Sequence, residues 1–245
     1  MSYLINPYMV TASGIEPPDV SDLYLWYDFS GENSTITYDG SNRISKCTNG
    51  EGSTNLDMLQ STGSLQPLRL AASQNGLDTA DLDGGRVMQT DDAKNNVPSV
   101  SQPTTYFFVT YVPASTGERW LWDRGTGWGL DYDNSRQNCT KQDNTTWTTD
   151  GAARTMLDTG QWSYITTMFN GSSGLLRENG VQNGLANMAT GTRKISAGTI
   201  GNFSSMDHDL QTWNEEVGEI IMYDRALTTE EIEGIESYLA TRWGL

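Results

Sequence analysis

Basic side chains are scarce in this chain: 15 Lys and Arg stand against 31 Asp and Glu over 245 residues, a formal charge of −16. No stretch gathers those few cations into a stripe that could neutralise phosphates, which argues against nucleic acid and anionic membrane as partners. The acid excess bears on solubility and self-repulsion, not on fold. No window approaches the roughly 18 apolar residues of a membrane span. The opening MSYLINPYMV has neither a basic n-region nor a full apolar core, so no targeting segment is read there. Histidine occurs once, His208 in SMDHDL, with no nucleophile elbow beside it; a solvated loop residue is the reading, ahead of a Ser-His-Asp arrangement. The two cysteines, Cys47 and Cys139, match no metal or redox spacing, and two ordinary thiols are favoured over a disulfide.

What is plentiful points to an all-β domain. Eight Trp and eleven Tyr supply core material, and abundant Gly, Asn, Ser and Thr suit short strands joined by turns. Strands are predicted at LYLWYDF, STITYDG, TADLDG, TTYFFVTYV, RWLWD, WGLDYD, WSYITTMF, GLLREN and KISAGTIGN, and from Val217 to Tyr223. The turn signals DGS, QNG, DGG, NGSSG and ENG fall between them. Two spans, DDAKNNVPSVSQ and DNSRQNCTKQDNTTW, read as long loops. Residues 1–22 read as an arm, broken by Pro17-Pro18, ahead of one domain at 23–245. At the other end Thr228 stands three residues before Glu231, the spacing of a capping box, and predicts a helix over about 228–242. Ile232, Ile235, Leu239 and Trp243 form its buried stripe, with Glu230, Glu231, Glu233, Glu236 and Arg242 elsewhere on the wheel.

In order, LYLWYDFSG, ITYDGSNRISKCTNGEG, QNGLDTADLDGG, YFFVTYV, GTIGN and the terminal GEIIMYDRALTTEEIEGIESYLATRWGL resemble the laminin G-like domains of the concanavalin A-like lectin/glucanase superfamily. The resemblance runs from about Leu23 to Leu245, and its terminal part is the most specific. It implies a jelly roll of two packed antiparallel sheets, with the C-terminal helix covering one side or edge. Such domains are binding or structural modules as a rule, on cell surfaces and in bacteriophage virion proteins; fold alone assigns no ligand.

Because the superfamily includes glycoside hydrolases, two carboxylates on one sheet face would be the acid and nucleophile of such chemistry. In EEVGEI, Glu219 sits among apolar neighbours and Glu216, three residues earlier, is expected on the opposite face, so Glu219 reads as a hydrogen-bonded structural carboxylate and the chain as non-enzymatic. No cofactor is required by this reading. Calcium is the metal that the oxygen-rich pairs Asp81 and Asp83, Asp131 and Asp133, and Asp207 and Asp209 would take, although none completes a calcium loop. For glycan binding the candidate patch is Trp128, Asp131, Tyr132, Asp133, Asn134 and Trp147, aromatic faces beside polar groups; Trp26, Trp162 and Trp243 are assigned to the core. In the arm, Tyr3, Leu4, Ile5 and Tyr8 are candidate docking residues for a neighbouring subunit. The expectation is a virion surface protein, a head decoration or tail-associated module. Its partners would be other virion proteins, cell-surface polysaccharide and further copies of itself; a free-standing lectin module is the first alternative and a glycoside hydrolase the second.

Overall fold

The computed structural model describes residues 14–53, 56–90, 100–101, 103–112, 119–123, 128–133, 136–143, 146–148, 160–170, 173–182, 194–195, 198–201, 213 and 215–245. Tyr3, Leu4, Ile5, Tyr8, Asn134 and the Asp207–Asp209 cluster with His208 lie outside the described residues.

Two antiparallel sheets pack face to face. The first runs, in hydrogen-bonded order, β16 (Val181–Gln182), β15 (Ser173–Glu178), β14 (Gln161–Asn170), β9 (Thr104–Val112), β19 (Glu216–Tyr223), β6 (Leu77–Asp81) and β5 (Leu68–Gln74). β6 pairs with the start of β19, and β1 (Leu23–Asp28) pairs with the rest of it on the same side. The second runs β13 (Thr146–Thr148), β12 (Arg136–Asp143), β11 (Trp128–Asp133), β10 (Arg119–Asp123), β18 (Thr199–Ile200), β7 (Met88–Thr90), β4 (Met58–Leu59), β3 (Ile44–Cys47) and β2 (Ile36–Tyr38). A third pairing joins β8 (Val100–Ser101) to β17 (Lys194–Ile195).

The inner core draws on both sheets: Tyr27, Tyr106, Phe108, Ile165, Ile220 and Met222 from the first meet Ile44, Met58, Met88, Leu121 and Ile200 from the second. Each such side chain contributes about 1.5–3 kcal/mol on burial. On β9 and β19 the apolar run is continuous, not alternating, because both faces are covered: Phe107, Val109, Ile221 and Tyr223 point away from the second sheet and meet α1 (Thr229–Trp243). The helix therefore lies on the outer face of the first sheet, not along an edge.

The helix begins as predicted. Thr228 Oγ1 accepts from the Glu231 amide at 3.3 Å, and Glu231 Oε2 accepts from the Thr228 amide at 2.8 Å. Ile232, Ile235, Leu239 and Trp243 are all buried. Gly244, at φ 68°, supplies the left-handed C-cap, and the QNG turn between β5 and β6 reaches over to close the last carbonyls. Gln74 Nε2 donates to the Trp243 carbonyl at 2.7 Å and Asn75 Nδ2 to that of Arg242 at 2.8 Å. Ahead of β1, Ile15 and Val20 join the cluster under the helix, and Tyr223 donates its hydroxyl to the Pro17 carbonyl.

Three expectations are corrected. Most of the second predicted long loop is strand, β12 and β13, held by backbone pairing to β11; Arg136–Asp143 carries no apolar alternation, so nothing in its pattern announces a strand. Glu236 is buried, not wet: its carboxylate accepts from Thr166 Oγ1 at 2.7 Å and Arg177 Nη2 at 2.8 Å. Glu216 shares the helix-bearing face with Glu219. Val217 pairs with Thr110 and Glu219 with Val109, leaving Gly218 as the extra residue of a β-bulge that shifts the alternation by one.

Candidate functional site

The bulge gives β19 two carboxylates on one face with different surroundings. Glu219 is wholly buried under the helix. Trp26 Nε1 donates to its Oε1 at 2.6 Å, Trp243 Nε1 to its Oε2 at 2.7 Å, and the Tyr238 hydroxyl to Oε1 at 3.3 Å. Arg242 completes the cluster. Its Nη2 donates to Asp28 Oδ2 and Ser30 Oγ, each at 2.8 Å, and its Nη1 to Glu32 Oε2 at 2.6 Å; its Nε lies 3.4 Å from Glu219 Oε2 without hydrogen-bond geometry. Burial, reinforced by the neighbouring Asp28 charge, pushes the Glu219 carboxyl up to about 7, against the pull of the two indoles and Arg242. The site is sealed: Glu219 has no exposure to solvent, and the groups around it belong to the fold. The cluster can pin the helix to the sheet; it cannot meet a substrate where it lies. This agrees with the structural role expected for Glu219.

The helix ends before Glu216. Ser73 Oγ and Thr79 Oγ1 both donate to Glu216 Oε2, at 2.5 and 2.6 Å, and among the described residues Oε1 accepts nothing. In register, Glu216 pairs with Asp81 on β6, and on its other side it stands one position beyond the Val217–Thr110 pair, beside Tyr111 of β9. Tyr111 pairs with Trp162 of β14. Asp81, Glu216, Tyr111 and Trp162 thus form one row across four adjacent strands on the helix-bearing face. Alternation supports this placement: Ala80 and Val217 enter the inner core, whereas Val109 and Trp162 belong to the helix side. All four members of the row are half-buried. Trp162 stacks on Trp243 at 6.2 Å and 15°, and Tyr111 meets Trp162 edge-on at 6.1 Å and 81°.

The residues proposed from sequence divide differently. Trp26 and Trp243 are buried and Trp162 half-buried, each packed in the helix-side cluster. Trp128, Asp131, Tyr132 and Asp133 lie on β11 and Trp147 on β13, with Trp128 opposite Lys141 and Trp147 opposite Gln142, one register row apart; their side chains lie outside the described residues. Asp81 Oδ1 accepts from the Asp83 amide at 2.9 Å and Oδ2 from Arg86 Nη1 at 3.1 Å, so the DLDGG acids are tied into their own turn. Among the described residues no group of three or more His, Cys, Asp or Glu side chains is placed to hold a metal ion. Cys47 is a free buried thiol, as read, and burial pushes its ionisation up. No helix among the described residues is long and apolar enough to cross a membrane.

Sequence reasoning missed the Asp81–Glu216–Tyr111–Trp162 row. Its members are far apart in the chain and only strand order makes them neighbours. The one local signal was Gly218 in EEVGEI, a glycine inside a strand pattern, which often marks a bulge.

No family model and no curated protein matches the sequence. Solved structures do share its architecture. Trypanosoma rangeli sialidase in complex with the inhibitor DANA matches with a TM-score of 0.56 and 15% identity, over 93% of this chain and 34% of that chain. Domain 4 of AbnA, a GH43 extracellular arabinanase from Geobacillus stearothermophilus, in complex with arabinotriose, matches at 0.54 and 15%, over 88% of this chain and 97% of that chain. A mutant of HCR/D matches at 0.56 and 12%, over 91% and 55%. The chain spans about a third of the sialidase and nearly all of the arabinanase domain. At these identities the likeness is one of fold: an all-β, jelly-roll-type sandwich.

Proposed function

We propose that this protein is a non-enzymatic recognition module that binds glycan. The observation that carries the reading is the row on the first sheet, where half-buried Tyr111 and Trp162 stand beside Glu216, a carboxylate braced by two hydroxyls and with one oxygen to spare. Aromatic surface for the apolar face of a sugar ring and a fixed acceptor for its hydroxyls are what such recognition needs. The counterpart in complex with arabinotriose supports the same reading at the level of fold. Against catalysis stands the burial of Glu219, the strand's perturbed carboxyl, beneath the helix. Purified protein tested on a broad panel of neutral and acidic glycans, with calcium and again with chelator, is expected to show saturable, chelator-insensitive binding and no hydrolysis. Turnover of any saccharide would replace the reading with that of a hydrolase.

The finer proposal is a laminin G-like module displayed on the head or tail of a phage particle, attached through its N-terminal arm or a subunit interface and contacting other virion proteins, with Trp128 and Trp147 flanking an additional glycan patch. It is supported by the sequence resemblance alone. Deleting residues 1–20 tests the attachment but also removes Ile15, Pro17 and Val20 from under the helix, so deletion of 1–13 is the cleaner variant. Particles that still incorporate the shortened chain would exclude the arm as anchor.

A further inference from the structure

We infer that the Asp81–Glu216–Tyr111–Trp162 row is a subsite for one neutral sugar ring and that it rejects acidic sugars; this rests on the glycan-binding reading above. Three features of the row lead there. Trp162 is half-buried and its ring lies nearly parallel to that of the buried Trp243, 6.2 Å away, so the part of its apolar surface that stays accessible is held in position by a buried partner. Tyr111 stands edge-on to it and donates its hydroxyl to the Gly160 carbonyl at 2.8 Å, so its ring is fixed as well. Rigid aromatics lose little conformational freedom when a ligand packs on them.

Polar selectivity comes from the other half of the row. Both donors to Glu216 converge on Oε2, which leaves Oε1 as the acceptor facing a ligand hydroxyl. Asp81, its cross-strand neighbour, has both oxygens engaged, by the Asp83 amide and Arg86 Nη1, and contributes charge and shape in place of a free acceptor. Two carboxylates side by side on a chain of net charge −16 repel a third anion. Arg86, the guanidinium next to the row, already bonds Asp81 and the Asp83 carbonyl, so it is committed within the fold. A hydroxyl-rich uncharged ring satisfies this surface; a sialic or uronic acid carboxylate does not.

The experiment is calorimetry on the intact chain with neutral oligosaccharides (arabino-, gluco-, galacto- and manno-series) and with their sialylated or uronic counterparts, for wild type, Tyr111→Ala and Glu216→Gln. Neutral saccharides are expected to bind and acidic ones not. Tyr111→Ala and Glu216→Gln are each expected to weaken binding about tenfold or more, the scale of a lost stacking surface or a charge-assisted hydrogen bond. Glu216→Gln keeps an amide oxygen for Ser73 and Thr79, so it tests the idea even if Tyr111→Ala fails to fold, and thermal unfolding of each variant separates the two causes. Neutral binding untouched by Glu216→Gln in a folded protein overturns this subsite and leaves the glycan-binding reading standing. A preference for acidic saccharides overturns the ligand class, and absence of binding across both panels overturns subsite and function together.

Discussion

Glu219 and Glu216 sit three residues apart on β19, share a sheet face, and have opposite fates. One lies under the helix, wholly buried, with two indoles, a phenol and a guanidinium around it; the other lies past the helix end, braced by two hydroxyls and half-exposed. A single extra residue, Gly218, brings both to that face. The difference teaches that burial, more than residue type or strand position, decides whether a carboxylate is sealed into the polar core or keeps an oxygen unengaged at the surface.

Removing the buried partner should give the largest effect. Glu219→Ala leaves two buried indole N–H groups and the Tyr238 hydroxyl without their acceptor and is expected to cost about 3–5 kcal/mol in chemical denaturation. A loss under 1 kcal/mol would mean that the cluster does not hold the helix.

The same group sets a pH signature. Its folded-state carboxyl is pushed up to about 7 from 4.5, so below pH 4.5 it is protonated in folded and unfolded chains alike. Between 4.5 and 7 the unfolded chain releases the proton while the folded chain retains it, and stability falls as pH rises, by about 3 kcal/mol in total, then levels off. Glu231 behaves in the reverse sense: the Arg225 hydrogen bond, then the Thr228 amide, hold it down to about 2, so its contribution is present above pH 4.5 and lost as pH falls through 2. Subtracting the denaturation profile of Glu219→Gln from that of wild type should isolate the decline between 4.5 and 7; parallel profiles would remove Glu219 as its source.

Gly218→Ala addresses the bulge. A Cβ there would stand 2.6–2.9 Å from ring atoms of the buried Trp243, and the expected cost of that overpacking is about 1–3 kcal/mol. Tm unchanged from wild type would show that the helix can shift to admit a methyl. Thr228→Ala removes the N-cap hydroxyl and should cost about 1 kcal/mol by the same assay, with Thr228→Ser recovering most of it. Smallest of all, Glu216→Gln is expected to change stability by no more than about 0.5 kcal/mol while lowering saccharide affinity. A large stability loss there would erase the contrast with Glu219.

The helix and most of the long strands could be read from sequence because their determinants are local. Thr228 and Glu231 answer each other within one turn, and TTYFFVTYV and WSYITTMF are apolar enough to declare themselves strands. β12 could not be read, since Arg136–Asp143 is polar apart from Cys139 and owes its strand state to hydrogen bonds with β11 and β13. Of the candidate site, Glu219 was recognised as structural from its apolar neighbours and Trp162 as packing with the core, whereas Glu216 was placed on the wrong face.

By itself, then, the sequence determined the all-β class, the apolar runs of the central strands, the capped helix and the turns that punctuate them. All of these follow from side-chain period and from hydrogen bonds spanning a few residues. Tertiary structure decided which carboxylate is sealed and which is open. That depends on a bulge fixed by pairing to a distant strand, on where the helix ends over the sheet, and on the strand order that sets Asp81, Glu216, Tyr111 and Trp162 in one row. Register and burial arise from contacts across the whole chain, and no local window contains them.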